Sequence, residues 1–416
     1  MLAKGVPLKI SVVIPTHDRI DLLRDAVETV RRQDYSDWEL VVFDNGSSDD
    51  TGKFAKGIAD PRVRYERSDV FLPVTDSWNR AIDSATGDYV TFLGDDDGLA
   101  PKYFTRLIRV IKDFAAPEVL YTAIYQFMHP GVAPWEQKGY VADVKNAFFF
   151  IGRDAPFLLS PDEASKAVHG SVGLRRNFTF NMQAFCFKQD FLNRLRRDGP
   201  IFRSPYPDYY FANVALAKAR NVVVVPEPLG IAGVSKASYG FTLFNELEDK
   251  GVELLNTKLT SDPLYAEVES FLLPGPLYNT NYVITMEHVF RYARDFLHHG
   301  VAYGRYRRLQ IYKVLTSSAL GKEGKGSIGN QLWSRLSVAE RLWMLSLRAV
   351  IRVSRFFGLY KILVVPVLRR LIEPYGFYPP EGIISRGQHS RLIQVFETLQ
   401  GATRKIQSAP AKSGSP

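Results

Sequence analysis

The sequence predicts an α/β protein in which a Rossmann-like, mainly parallel sheet flanked by helices is followed by a helical C-terminal region. Three observations carry that expectation. Short β-branched runs alternate with helical patterns between residues 8 and 121, polar clusters follow three of these runs where a strand should end, and beyond about residue 240 long helical patterns take over. A βαβ series of this kind implies parallel strands whose crossover helices cover both faces of the sheet.

Taken in order, residues 8–14 read as a buried strand, 20–32 as an amphipathic helix, 38–43 as a second strand and 51–59 as a second helix. A short strand at 63–66, a helix at 75–85 and a strand at 89–93 follow. Pro101 fits the first turn of a helix reaching 114, because its missing N–H is an orphan there anyway. Extended structure resumes at 119–121. The stretch 122–170, rich in aromatic residues, Pro and Gly, reads as irregular insertions. Strands are expected at 178–188 and 221–225, with a helix at 209–219 between them, and long helices at 283–297 and 338–357. The expected division is an α/β domain over 1–240, a mainly helical region over 241–400 and a disordered tail over 401–416.

With 416 residues, 46% of them hydrophobic, the chain can bury a sizeable core in two or three domains. Its one cysteine, Cys186, excludes an internal disulfide framework and fits a reducing compartment, as a buried apolar residue more than a nucleophile. The N-terminus shows no apolar stretch of the signal-peptide kind, and the apolar runs fall far short of the ~20 residues of a spanning helix. A cytoplasmic protein that does not cross the membrane is expected. Net charge is +9, unevenly spread: residues 301–416 carry 19 Lys and Arg against 5 Asp and Glu, or +14, which leaves the first 300 residues at −5. An acidic N-terminal part argues against a nucleic-acid partner, while the basic C-terminal part could meet an anionic surface.

Ligands in open sheets of this kind collect beyond the carboxyl ends of the strands. Three polar clusters stand there: Thr16-His17-Asp18, then Asp44 to Asp49, then Asp95-Asp96-Asp97. Helix capping accounts for Asp49 or Asp50 and is one reading of Asp18. Asp44 comes too early to cap the next helix, which favours a binding role. Three adjacent carboxylates repel one another and call for a cation; Mg²⁺ or Mn²⁺, which take one or two protein carboxylates and leave their other positions to phosphates, would serve. A dinucleotide site is excluded, because the turn Pro15-Thr16-His17-Asp18-Arg19 holds no glycine. The histidines show no zinc spacing.

At these residues the chain resembles the inverting family 2 glycosyltransferases of GT-A fold. The resemblance runs through Ser-Val-Val-Ile-Pro-Thr-His-Asp-Arg at 11–19, Leu-Val-Val-Phe-Asp-Asn-Gly-Ser-Ser-Asp-Asp-Thr at 40–51, Trp-Asn-Arg-Ala at 78–81, and Ala-Thr-Gly-Asp-Tyr-Val-Thr-Phe-Leu-Gly-Asp-Asp-Asp at 85–97. These four ordered motifs cover about the first 115 residues. The resemblance implies that residues 1–240 are a GT-A catalytic domain, that Pro15, Thr16 and Asp18 line a nucleotide pocket, that Asp44 accepts a hydrogen bond from base or ribose, and that Arg80 helps hold the sugar nucleotide. The acidic triplet takes the place of the family's Asp-X-Asp motif. Gly94 stands where the first aspartate of the common Asp-X-Asp-Asp form would be, leaving Asp96 as metal ligand with Asp95 beside it; Asp95 with Asp97 also satisfies the Asp-X-Asp spacing.

An inverting transfer needs a general base, because a sugar hydroxyl is a poor nucleophile until its proton is removed. The family's base ends a Glu-Asp pair before a helix, and the matching residue is Asp208, with Pro207 in place of Glu; capping of that helix is the other reading of Asp208. The glycine-punctuated stretch 230–240 reads as a loop able to close over a diphosphate, with Lys236 either countering its charge or simply solvated. No Gln-X-X-Arg-Trp signature of processive synthases is present, so addition of a single sugar is expected. From 341 to 370 there are seven basic residues and no acidic one, which suits either an anionic membrane surface or packing on the domain with solvated arginines. On family grounds the donor is a nucleotide sugar, with UDP ahead of GDP and dTDP, and the acceptor a glycan or lipid-linked glycan of a surface polysaccharide. A non-catalytic glycan-binding scaffold and a sugar nucleotidyltransferase are the alternatives.

Overall fold

A computed structural model describes residues 7–144, 147–317, 322–360 and 382–408. The expected alternation holds through the first 113 residues: β1 (Ile10–Thr16), α1 (Ile20–Arg31), β2 (Trp38–Asp44), α2 (Thr51–Lys56), β3 (Val63–Arg67), α3 (Val74–Asp83), β4 (Tyr89–Phe92), β5 (Gly98–Leu99) and α4 (Tyr103–Asp113). β1 pairs in parallel with β2 on one side and with β4 on the other, and β2 pairs in parallel with β3. The order β4-β1-β2-β3 reverses direction between β1 and β4, and the crevice above such a switch point is where ligands bind.

Every residue of β1 and β2 is buried, which explains their near-continuous apolar runs. Side chains alternate between the faces. Ile10, Val12 and Ile14 join a core with Leu23, Val27 and Val30 of α1 and Phe104 and Leu107 of α4, while Val13, Val41 and Phe92 belong to the opposite core. That second core is built largely from elements that follow: β6 (Val119–Met128), β8 (Phe157–Leu158), α5 (Pro161–Val172), β9 (Phe185–Lys188), α6 (Gln189–Arg196) and α7 (Pro207–Lys218); β7 (Tyr140–Val144), between β6 and the sheet edge, packs outside it. The stretch 122–170 is therefore more regular than its composition predicts. β6 runs on to Met128 with β7 antiparallel to it, and α5 begins at a capping box in which Ser160 accepts from the Glu163 amide and Glu163 reaches back. Cys186 is buried on β9, and burial pushes its thiol up to about 12, as an inert core residue requires.

Strand β10 (Val222–Val234) is far longer than the expected 221–225 and pairs in parallel with β6 over ten register positions. Its register with β6 shifts on either side of Pro228, around Pro226 and Pro228, which have no N–H to donate. The glycine-punctuated stretch is thus strand as far as Val234. Its glycines serve close approach: a Cβ on Gly233 would lie 1.7 Å from the Asp96 carbonyl oxygen, and one on Gly230 2.6 Å from that of Gln183.

Helices then dominate: α8 (Tyr239–Phe244), α9 (Glu248–Leu255), α10 (Tyr265–Val268), α11 (Leu277–Tyr292), α12 (Tyr303–Thr316), α13 (Lys322–Ser334) and α14 (Val338–Phe356). α11 packs on α5 and α7, so the helical region shares the sheet's core. The chain then returns to the sheet: β11 (Ile383–Arg386) pairs antiparallel with β7, and α15 (Leu392–Ser408) lies on α1, where Arg391 is ion-paired with Asp25 and Leu392 and Val395 enter the core. The C-terminal region is mainly helical, as expected, with β11 added to the sheet. One expectation is corrected here: helix reaches to Ser408 within the expected tail because α15 has an apolar face to bury; residues 409–416 of that tail lie outside the described residues. No helix among the described residues is long and apolar enough to cross a membrane.

Candidate functional site

Immediately after β4 the chain turns through Leu93 and Gly94 into three buried carboxylates that have three different settings. Asp95 faces β1: Thr16 Oγ1 donates to its Oδ2 at 2.8 Å, and Arg19 Nη1 lies 3.0 Å from its Oδ1. Burial raises the Asp95 carboxyl to about 6 against the pull of Arg19, with Asp96 adding to the rise. Asp97 turns back into the fold, where its Oδ2 accepts the Gly94 amide at 2.8 Å and its Oδ1 accepts the Gly233 amide at 2.9 Å and Gln183 Nε2 at 3.2 Å. Burial and the neighbouring Asp96 push the Asp97 carboxyl upward. Asp97 thus ties the acidic turn to β10. Asp96 is the open one: Ser238 Oγ and, at 3.4 Å, Ser235 Oγ donate to Oδ2, while Oδ1 accepts no hydrogen bond from the described residues.

This geometry explains Gly94. A Cβ there would stand 2.8 Å from Asp97 Oδ2 and 3.1 Å from Asp96 Oδ1, so a first aspartate of the Asp-X-Asp-Asp kind would displace the anchoring carboxylate. It also explains β10, whose backbone amide at Gly233 reaches Asp97 only because residue 233 has no side chain. Gly233→Ala is expected to force β10 off the acidic turn and cost about 3 kcal/mol or more, beyond the usual overpacking penalty because the clash is with backbone. Urea unfolding measures it; a loss under about 1 kcal/mol would mean that the turn has room to move.

The acidic turn lines one end of a cavity of about 1180 Å³, together with Pro15 and Arg19. Asp208 lines the same cavity, in the first turn of α7. The helix N-cap is Tyr206, with no side-chain cap, so Asp208 does not stand at the capping position. Burial raises its carboxyl to about 6, with the Tyr209 amide and Arg176 acting in the opposite direction. Trp78, Tyr206, Tyr209 and Tyr239 give this part of the cavity an aromatic wall, which a hydrogen bond between the Tyr206 and Tyr239 hydroxyls and another between Tyr209 and Tyr278 hold in place.

Five expected donor residues do not line this cavity: Thr16 is buried against Asp95, and the other four lie elsewhere. Asp18, exposed and at φ 48°, accepts the amides of Ser48 and Asp49; burial opposes its ionisation, but these donors outweigh it and lower its carboxyl. It braces the β1 turn against the β2 turn, while Asp49 accepts the first amides of both α1 and α2, from Ile20 and Thr51. Asp44 is fully buried and already engaged by the Ser47 amide, the Tyr65 hydroxyl and Arg67. Arg80 is exposed and borders a separate groove of about 800 Å³ with Arg203 and His288. Lys236 is exposed, lies against Gly131 and is not among the residues lining the main cavity.

The cavity also contains residues that spacing alone does not single out: Arg19, Arg176, Gln183 and Ser238. Arg19 supplies the cation that three adjacent carboxylates demand. Burial disfavours its charge, but Asp95, Asp96 and Asp97 more than compensate and raise its pKa. Among the described residues no three His, Cys, Asp or Glu side chains converge as a metal cage. The donor set still fits Mg²⁺ or Mn²⁺, which need only one or two protein carboxylates when phosphates complete the shell, and the open Oδ1 of Asp96 would be such a ligand.

Residues 11–172 match the family model described as glycosyl transferase family 2. A GalNAc(5)-diNAcBac-PP-undecaprenol beta-1,3-glucosyltransferase of Campylobacter jejuni is 37% identical over 94 residues, 22% of this chain and 30% of that protein. A putative colanic acid biosynthesis glycosyl transferase, WcaA, of Escherichia coli is 36% identical over 100 residues, 24% of this chain and 36% of the relative. The aligned part thus spans about a third of each relative. Among solved structures, Staphylococcus aureus TarS 1–349 aligns with 15% identity and a TM-score of 0.43 over 72% of this chain and 90% of that one, a likeness too loose to bear on function. The motifs between β1 and β4, the switch-point site above them and the family match agree, and residues 11–172 belong to a family 2 glycosyltransferase domain.

Proposed function

We propose that the protein transfers one sugar from a nucleotide sugar, with UDP as the nucleotide, to a hydroxyl of a glycan or lipid-linked glycan, inverting the anomeric centre. The observation that carries this reading is that an acidic turn with one open carboxylate oxygen and a carboxyl poised at about 6 line a single cavity. In this reading Asp208 takes the acceptor's proton as the hydroxyl oxygen attacks the anomeric carbon. The bond from that carbon to the diphosphate oxygen breaks on the far side, and its electron pair leaves with the nucleotide. Asp96, with Asp95 beside it, would hold Mn²⁺ or Mg²⁺, whose contribution is to neutralise charge on the departing diphosphate. Arg19 adds a fixed cation at the same end, Pro15 borders the donor, and Thr16 holds Asp95 in place behind it. The aromatic wall suits the apolar faces of sugars.

The acceptor class draws on the relatives' names. One is a glucosyltransferase of an undecaprenol diphosphate-linked glycan, one belongs to colanic acid biosynthesis, and mycobacterial relatives, 36% identical over 93 residues, are PGL/p-HBAD biosynthesis glycosyltransferases. A nucleotide-sugar donor and a lipid-linked acceptor meet at the inner face of the cell membrane, where the protein would work as a peripheral enzyme.

Incubated with UDP-, GDP- and dTDP-sugars and Mn²⁺, the protein is expected to release free nucleotide from a UDP-sugar and to melt at higher temperature with that same donor. No release and no thermal shift with any donor would leave a glycan-binding scaffold. Release of pyrophosphate from a nucleoside triphosphate would make the protein a nucleotidyltransferase.

A further inference from the structure

Helix α14 has two apolar faces, and the described residues cover only one of them. Met344, Leu347 and Ile351 point inward onto Leu309, Ile311 and Tyr312 of α12. On the other side Val338, Leu342, Leu345, Val353 and Phe356, at spacings of four, three, eight and three residues, fall on one helical face and stand open, Leu342 at 62% and Phe356 at 85% exposure, with Phe357 just beyond at 66%. Single exposed apolar residues are ordinary, but a continuous stripe marks an interaction surface. Beside the stripe Arg348, Arg352 and Arg355 gather round a cavity of about 230 Å³, which Val314 and Gly329 help to close. Residues 341–360 hold four arginines and no acidic residue, and no carboxylate among the described residues pairs with Arg348, Arg352 or Arg355. Of the seven basic residues between 341 and 370, Lys361, Arg369 and Arg370 lie outside the described residues.

We propose that this face of α14 docks on an anionic phospholipid surface, the apolar stripe entering the headgroup boundary while Arg348, Arg352 and Arg355 receive a lipid phosphate in the small cavity. An apolar stripe flanked by cations that no described carboxylate neutralises, one of them, Arg355, lying over the Tyr360 ring, is the pattern of an interfacial helix, and each basic residue near an anionic surface adds to the attraction. A second copy paired through the same face would set arginines against arginines, since a two-fold interface repeats the same patch on both sides. The inference rests on the proposed lipid-linked acceptor only for its purpose. Docking is measured without donor or acceptor, so its failure and the failure of the proposed transfer are separately visible.

The test is sedimentation of the full chain with vesicles of phosphatidylglycerol and phosphatidylcholine, or of phosphatidylcholine alone. The protein is expected to sediment with the anionic vesicles at low salt, not with the neutral ones, and less so at 0.5 M salt, where screening is strong. Arg348→Glu with Arg352→Glu, and separately Leu342→Asp with Phe356→Asp, should each lower vesicle affinity by about tenfold or more at unchanged melting temperature, since loss of two basic contacts exceeds the ~1.4 kcal/mol of a tenfold change. Several outcomes would overturn the proposal: no binding to anionic vesicles, equal binding to neutral ones, or no effect of either double variant. So would a wild-type dimer in light scattering that Leu342→Asp converts to monomer without any vesicle binding, because the stripe would then belong to a second copy.

Discussion

Asp96→Ala is expected to lower sugar transfer by at least about 10³-fold while leaving the melting temperature within a few degrees of wild type. The rate loss follows from charge: a bound divalent ion is worth several kcal/mol at a departing diphosphate, and each 1.4 kcal/mol is tenfold in rate. The tolerance follows from the hydrogen bonds. Among the described residues Asp96 accepts only the hydroxyls of Ser235 and Ser238, which can turn to each other or to water in the cavity. Asp97 is its contrast. Two backbone amides and Gln183 depend on it, so removing it should unfold the turn rather than merely silence it. Initial rates at saturating donor, with a Mn²⁺ titration followed by calorimetry, separate the two effects. A variant that keeps near-wild-type turnover, or wild-type Mn²⁺ affinity, would take the metal away from Asp96.

The contrast between Asp96 and Asp97 marks where sequence reading stops. The strands and helices up to α4 are legible because both faces of β1 and β2 are buried, so that each strand is an apolar run bounded by turn residues. The acidic triplet and Asp208 stand out in the sequence because they sit at element ends where ligands collect, although aspartates there also serve as helix caps and turn anchors. Which oxygen of which carboxylate stays open is a different matter. Asp97 is consumed by the Gly233 amide, 136 residues away, and Arg19 meets Asp95 only because β4 pairs beside β1. Lys236 shows the converse. A lysine in a glycine-punctuated stretch reads as a phosphate contact, yet the glycines exist to let β10 pass against Asp96 and Gln183, and the lysine falls outside the cavity. Some missed structure was written locally all the same: Ser160-Pro161-Asp162-Glu163 is a full helix-start signal inside the stretch that composition marks as irregular. The return of β11 to β7 was not, because Arg386 is 246 positions beyond its partner Tyr140 and nothing local encodes their pairing.

Asp208→Asn carries the second large effect, a loss of turnover of about 10²- to 10⁴-fold, the range general-base catalysis supplies, with donor affinity unchanged. The wild-type rate should rise with pH through about 6 and level off above it, because only the ionised carboxylate accepts the proton. Stability runs the other way. An aspartate near 6 in the folded protein and near ~3.9 unfolded leaves the folded state holding more protons between those values, so stability falls as pH rises through that window and stays reduced above it. Asparagine removes the ionisation, and Asp208→Asn should therefore be more stable than wild type at pH 7.5, by on the order of 2 kcal/mol, with the gain vanishing below about pH 4. A helix-start aspartate kept for its favourable charge at the N-terminus predicts the opposite, since its loss costs stability at neutral pH. Paired urea titrations at pH 4 and 7.5 decide between them: a destabilised Asp208→Asn at pH 7.5 would reassign Asp208 to the helix, whereas a stabilised but inactive variant is what a carboxylate held in the cavity for proton transfer requires.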